Sequence, residues 1–140
     1  MKVFNFLKRN KDQKIKFIKE HNLEDWWNQN FSDKEKRKII SESSNLLNNS
    51  NSEKTAARTL YLLAGNVVTR FHNNNPDAII RILKKAAELS KDPAKLFEIY
   101  SQLIKLLVEQ ERKEEARNLI KQVQAEKRAG NWEKLLSQIN

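Results

Sequence analysis

His21 and His72 are the only imidazoles in this 140-residue chain, and it has no cysteine. Neither histidine belongs to a two-ligand helical spacing such as HExxH, so each reads as a solvated or capping side chain rather than as a metal ligand. Two carboxylate pairs, Glu24 with Asp25 and Glu114 with Glu115, suggest general acid and base work at first sight. Adjacent residues on a helix diverge by about 100°, however, so these pairs read as solvated charges. Gly65 and Gly130 stand alone, which rules out a glycine-rich phosphate loop; Gly65 reads as a packing residue and Gly130 as a turn. No serine has the context of a nucleophile elbow. The expectation is a protein without enzymatic chemistry, cofactor or metal.

The elements that carry these residues follow from composition. With 2 Gly and 2 Pro among 140 residues, the punctuation that closes β-hairpins is nearly absent, while Lys, Glu, Leu, Ile and Gln dominate. The predicted class is all-α, in one domain. No cysteine means no disulfide framework and no thiolate metal site, which fits a reducing cytosol. The opening MKVFNFLKRNK is too short in apolar residues for a signal peptide, and no uncharged run approaches the ~18 residues of a membrane span. The expectation is a soluble cytoplasmic protein, of bacterial type from its Asn, Lys and Ile bias, with no membrane partner.

Helix signals recur along the chain. DQKIKFIKEHNL carries Ile15, Phe17 and Ile18 near one side, and Leu23, Trp26, Trp27 and Phe31 crowd into the next small element as aromatic anchors. Ser32 with Glu35 forms a capping box, so a helix should begin at Asp33 and run through Ile39 and Ile40 towards Leu46 and Leu47. After the polar loop NNSNSE, Ser52 or Asn51 is the expected cap of a core helix from Glu53 to about Phe71. Pro76 opens the next, and Asp92 with Pro93 opens another through Val108. A partner helix carries Ala116, Leu119, Ile120 and Val123, and Trp132, Leu135, Leu136 and Ile139 form a short terminal one. Residues 1–50 read as a basic, aromatic-rich helical subdomain packed on the rest, and 51–140 as an array of helical hairpins with a capping helix.

YSQLIKLLVEQERKEEARNLI, from Tyr100 to Ile120, holds two apolar stripes of helical period joined by a charged turn, with the small Ala116 on the second. Helices of this length joined by short loops lie antiparallel, and repeated pairs suggest a solenoid. With its flanks this stretch resembles a tetratricopeptide repeat. Tyr100, Leu103, Leu107, Ala116 and Ile120 take the repeat's characteristic places, whereas Ile104 and Val123 stand where small residues belong. An earlier copy falls on Tyr61, Ala64, Gly65 and Val68, followed by Ala78 and Ile82. Tyr61 to Tyr100 is 39 residues, against a repeat of about 34. GNWEKLL at Trp132 resembles the opening of a third copy, used as a cap. The resemblance covers roughly residues 55–140.

That resemblance implies a groove holding another protein or a peptide segment, lined by polar residues one, five and nine positions after the large residue. Carried over, these are Asn66 and Arg70 from the earlier copy and Ser101, Lys105 and Glu109 from the later. An amide at Asn66 suits an extended backbone, while Arg70 and Lys105 favour an acidic segment. The formal charge of +9 opens a second use. Residues 1–40 hold 11 Lys or Arg against 6 Asp or Glu. Lys8, Arg9, Lys11, Lys14, Lys34, Lys36, Arg37 and Lys38 would then form a surface for nucleic acid, although acidic residues interleave with them and no groove-reading motif is visible. Self-association is a third use of such a fold. The leading expectation is a protein-interaction module serving as an adaptor or regulator.

Overall fold

A computed structural model describes residues 16–48, 55–71 and 75–139, the side chains of 44–48 and 66–71 excepted. Ile15, Asn51, Ser52, Glu53, His72 and the first four basic candidates lie outside the described residues. The described chain is all-α: α1 Lys16–Glu20, α2 Glu24–Asn30, α3 Asp33–Asn48, α4 Ala56–Phe71, α5 Pro76–Leu89, α6 Pro93–Glu109, α7 Lys113–Ala125 and α8 Trp132–Ser137. No strand occurs among the described residues.

Local chemistry sets the helix starts. The Glu35 N–H donates to Ser32 Oγ at 3.2 Å and the Ser32 N–H to Glu35 Oε1 at 2.9 Å, so the capping box opens α3 at Asp33. Asn75 Oδ1 accepts from the Ala78 N–H at 3.2 Å and Asp92 Oδ1 from the Ala94 N–H at 3.0 Å, each followed by a proline in the first turn. The helix expected from Glu53 instead begins at Ala56, because Thr55 Oγ1 accepts the Arg58 N–H at 3.1 Å.

Helix ends use a device that composition hides. Asn22, Glu111 and Lys127 adopt φ values of 56°, 59° and 57°. Around each, the backbone closes as a Schellman motif; after α6, Arg112 N–H bonds Leu107 C=O at 2.8 Å and Glu111 N–H bonds Val108 C=O at 3.0 Å. Three turns normally given to glycine are thus built with other residues. The charged EQERKEE stretch is therefore a true break between α6 and α7 rather than a continuous helix.

One apolar cluster extends from Phe17 in α1 to Ile139 beyond α8. Consecutive helices supply most of the packing: α3 on α4, α4 on α5, α5 on α6, α6 on α7 and α7 on α8, with α1 also against α3. Polar links between alternate helices reveal their directions. Asp77 at the start of α5 pairs with Arg112 at the start of α7, and Lys84 pairs with Glu115 farther along. Past the other ends, Arg128 Nη2 donates to the Ser90 carbonyl at 2.9 Å. Starts meet starts and ends meet ends, so α5 and α7 run the same way. Arg58 and Glu98, 3.6 Å apart, join the early turns of α4 and α6 similarly.

Such exposed pairs contribute about 0–1 kcal/mol each, whereas a fully buried Leu or Ile contributes about 1.5–3 kcal/mol. Leu60, Leu63, Ile79, Ile82, Leu103, Leu107 and Ile120 are all fully buried, so burial holds the helices together and the ion pairs report their register. Ala116 is also fully buried, which is where a small side chain lets α7 approach its neighbours.

Two further features depart from the sequence reading. Gly65, expected to pack, is exposed, and no heavy atom of the described residues lies within 4 Å of where its Cβ would stand. In α3, Ser43 has φ −132° and ψ 24°, a kink inside the predicted helix. Its side chain is buried and its hydroxyl lacks a partner among the described residues.

Both ends of the described chain are closed by aromatics. Phe31 sits 5.3 Å from Trp26 and 5.1 Å from Trp27, and the Arg81 guanidinium lies 5.2 Å above it. At the other end, Trp132 contacts Phe97 and Tyr100, each at 5.4 Å, and donates from Nε1 to the Arg128 carbonyl at 2.7 Å. Gly130, with φ 152°, permits this closure, since a Cβ there would stand 2.8 Å from the Trp132 ring. It is a turn, as expected, and also a close approach.

Candidate functional site

Of the predicted groove residues, α6 presents Ser101, Lys105 and Glu109 on one strip, because they are spaced by four. Lys105 and Glu109 are exposed; Ser101 is half-buried and donates its hydroxyl to the Phe97 carbonyl at 2.8 Å, which occupies that proton within its own helix. Asn66 and Arg70 lie in the second half of α4, their side chains outside the described residues. Of the basic candidates, Lys8, Arg9, Lys11 and Lys14 also lie outside. Lys34, Arg37 and Lys38 are exposed and share one face of α3. Lys36 is half-buried and donates to Asn28 Oδ1 at 2.7 Å.

The carboxylate pairs diverge. Glu114 turns to Arg117 at 3.0 Å, while Glu115 turns inward to Lys84 and Arg112. Glu24 and Asp25 are both exposed on α2. His21 is exposed, with its ring 4.7 Å from Phe17. Among the described residues no group of three His, Cys, Asp or Glu side chains is placed to hold a metal ion, and no helix is long and apolar enough to cross a membrane.

A cleft of about 550 Å³ opens where the start of α4 faces the α5–α6 junction. Its walls are Thr55 to Arg58 and Tyr61 from α4, Leu89 to Asp92 from the junction, and Lys95 and Ile99 from α6. The size falls in the range of ligand-binding clefts, roughly 300–1,000 Å³. Ala57 and Ile99 are buried in the floor, whereas Leu89 and Tyr61 are only half-buried. Apolar surface of both is therefore left in the opening.

The charges around this cleft are unequal in their engagements. Asp92 is committed to the Ala94 N–H. Glu98, just outside, faces Arg58, whose guanidinium also lies 5.4 Å over the Tyr61 ring. Burial, and then the Glu98 carboxylate that accepts from it, push the Tyr61 phenol above its ordinary range, so it stays a neutral donor. Lys91 and Lys95 are exposed and make no hydrogen bond or ion pair with a described residue. Among the described residues the charge at the mouth is therefore positive on balance, with Arg58, Lys91 and Lys95 against Asp92 and Glu98.

Arg58, Tyr61, Lys91 and Lys95 were not among the site residues expected from sequence. The only local signal is SKDPAK, which sets a lysine on each side of a capped helix start. Their convergence with Arg58, more than thirty residues earlier, depends on how α4 meets the α5–α6 junction. No family model, curated protein or solved structure matches the chain.

Proposed function

We propose that the chain is a non-enzymatic protein-interaction module, an adaptor or regulator of a bacterial-type cytoplasm, built as a short tetratricopeptide-like array. The observation that carries this reading is the shared direction of the alternate helices α5 and α7, beside which the early turns of α4 and α6 also meet. Pairs laid side by side in that sense expose one helix of each pair along a common face, as solenoids do when they bind extended segments. Ala64, Leu103, Ala116 and Ile120, places that carry the resemblance, are all buried. Asn66, Arg70, Ser101, Lys105 and Glu109 are the residues assigned to that face, and an acidic segment of a partner protein is the assigned ligand.

The test is capture of partners by the full chain and by an Arg70→Glu/Lys105→Glu variant, with nuclease treatment in parallel. The expected result is a protein partner that survives nuclease and is lost with the variant, whose circular dichroism is unchanged. Lys34, Arg37 and Lys38 on one exposed face of α3 favour nucleic acid as the alternative. That reading wins if capture disappears with nuclease, and if binding to random DNA falls steeply with salt and responds only to the basic residues of the N-terminal third.

A further inference from the structure

We infer that the cleft between the start of α4 and the α5–α6 junction is a docking site for an internal acidic peptide segment that seats one apolar side chain between Tyr61 and Leu89. The inference rests on the interaction-module reading and adds a site that the groove residues do not include.

Two observations meet here. The first is apolar surface left open: Tyr61 and Leu89 are half-buried beside a floor of Ala57 and Ile99, in a cleft of about 550 Å³. Water in such a cleft is displaced favourably by an aliphatic side chain, because burial of apolar area is the largest favourable contribution to association. The second is the sign of the rim. Asp92 caps α6 but keeps its charge, and Glu98 is paired with Arg58, while Lys91 and Lys95 stand exposed without a partner among the described residues, so the described rim has three cations, Arg58, Lys91 and Lys95, against two anions. A segment with carboxylates on either side of its anchor meets these two ammonium groups. A basic segment is repelled by them and, among the described wall residues, finds only Asp92 to offset that loss.

The geometry also favours a side chain over a chain terminus. Arg58, the guanidinium best suited to grip a free carboxylate in two places, is already held by Glu98 and stacked on Tyr61. The lysines that remain act as point charges, which suit several carboxylates spread along a segment rather than one fixed in a fork.

Fluorescence anisotropy on the full chain tests this with three short acetylated and amidated peptides. One carries a single leucine between runs of Asp and Glu, the second replaces that leucine by glycine, and the third replaces every acid by lysine. The expected order is tight binding of the first, about tenfold or weaker binding of the second, and none of the third. Lys91→Glu/Lys95→Glu should weaken the first peptide by about tenfold or more, whereas Lys34→Glu/Arg37→Glu should leave it unchanged. Ala56→Trp, which fills the opening without changing charge, should also abolish binding; circular dichroism of each variant separates loss of site from loss of fold. The inference is overturned if leucine and glycine peptides bind equally, or if reversal at Lys34 and Arg37 costs as much as reversal at Lys91 and Lys95. Should peptide binding fail in that way while partner capture still depends on Arg70 and Lys105, the module reading stands and only the cleft is reassigned. The opposite pattern leaves the cleft and removes the groove.

Discussion

Glycine stands where this fold does not need it and is missing where it would help. Gly65 lies inside α4, exposed, with no described residue near where its Cβ would stand. An interior helical glycine costs about 0.5–1 kcal/mol relative to alanine, so Gly65→Ala is expected to raise the melting temperature by that equivalent, measured by thermal denaturation. Conversely, Glu111 holds φ 59°, a region that costs an L-residue about 1–2 kcal/mol and glycine almost nothing. Glu111→Gly should therefore stabilise the turn between α6 and α7 by about 1 kcal/mol, read from the shift in denaturant midpoint. These two positions also mark where the sequence misleads. The repeat-like spacing made Gly65 look like a packing site. Of the left-handed turns, only Asn22 carries a residue type suited to that region; Glu111 and Lys127 carry nothing that announces them.

At the scale of elements, the helix starts were the most legible part. Ser32 with Glu35, Asp92 with Pro93, and Pro76 all act locally, and local chemistry is visible in a short window. The kink at Ser43 was not, because neither glycine nor proline marks it within Asp33–Asn48. Nor were the joints between elements. Glu35 accepts from its own cap, from Asn75 and from Arg81, and Arg81 in turn donates to the Asn30 carbonyl, which ties α2 and α3 to α5. Burial raises the Glu35 pKa, but the Ser32 N–H, Asn75 and Arg81 outweigh it and hold the carboxyl below its ordinary value. Glu115 shows the same balance: burial is outweighed by Lys84 and Arg112. A carboxyl whose folded pKa is depressed contributes stability above the unfolded pKa, and that stability is lost as pH falls through the folded value. The melting temperature should therefore drop as pH falls from about 5 to 3, and more gently in Glu35→Gln and Glu115→Gln, both of which should melt below wild type at pH 7.

For the whole molecule, fold class was readable because it depends on composition and period, whereas the cleft was not, because it is made where three separate elements converge. Lys91 and Lys95 are ordinary surface lysines in sequence; their meaning comes from sharing a cleft with the half-buried Tyr61 and Leu89. The apolar cluster joins Trp27 near one end of the described chain to Trp132 near the other. Single-tryptophan variants that report from position 27 or from position 132 are thus expected to unfold at the same urea concentration, as one cooperative unit; separate midpoints would divide the chain into two.

Because helices find most of their packing in the next helix along the chain, little of this architecture waits for distant residues to meet. Topologies of low contact order fold quickly, since few large loops must close before contacts form. A chain emerging from the ribosome can settle each rod on the one that left just before it, so that α5 has a bed before α7 has been translated. The turn of Trp132 onto Phe97 and Tyr100 then acts as a latch, set only after both α6 and α7 have been made.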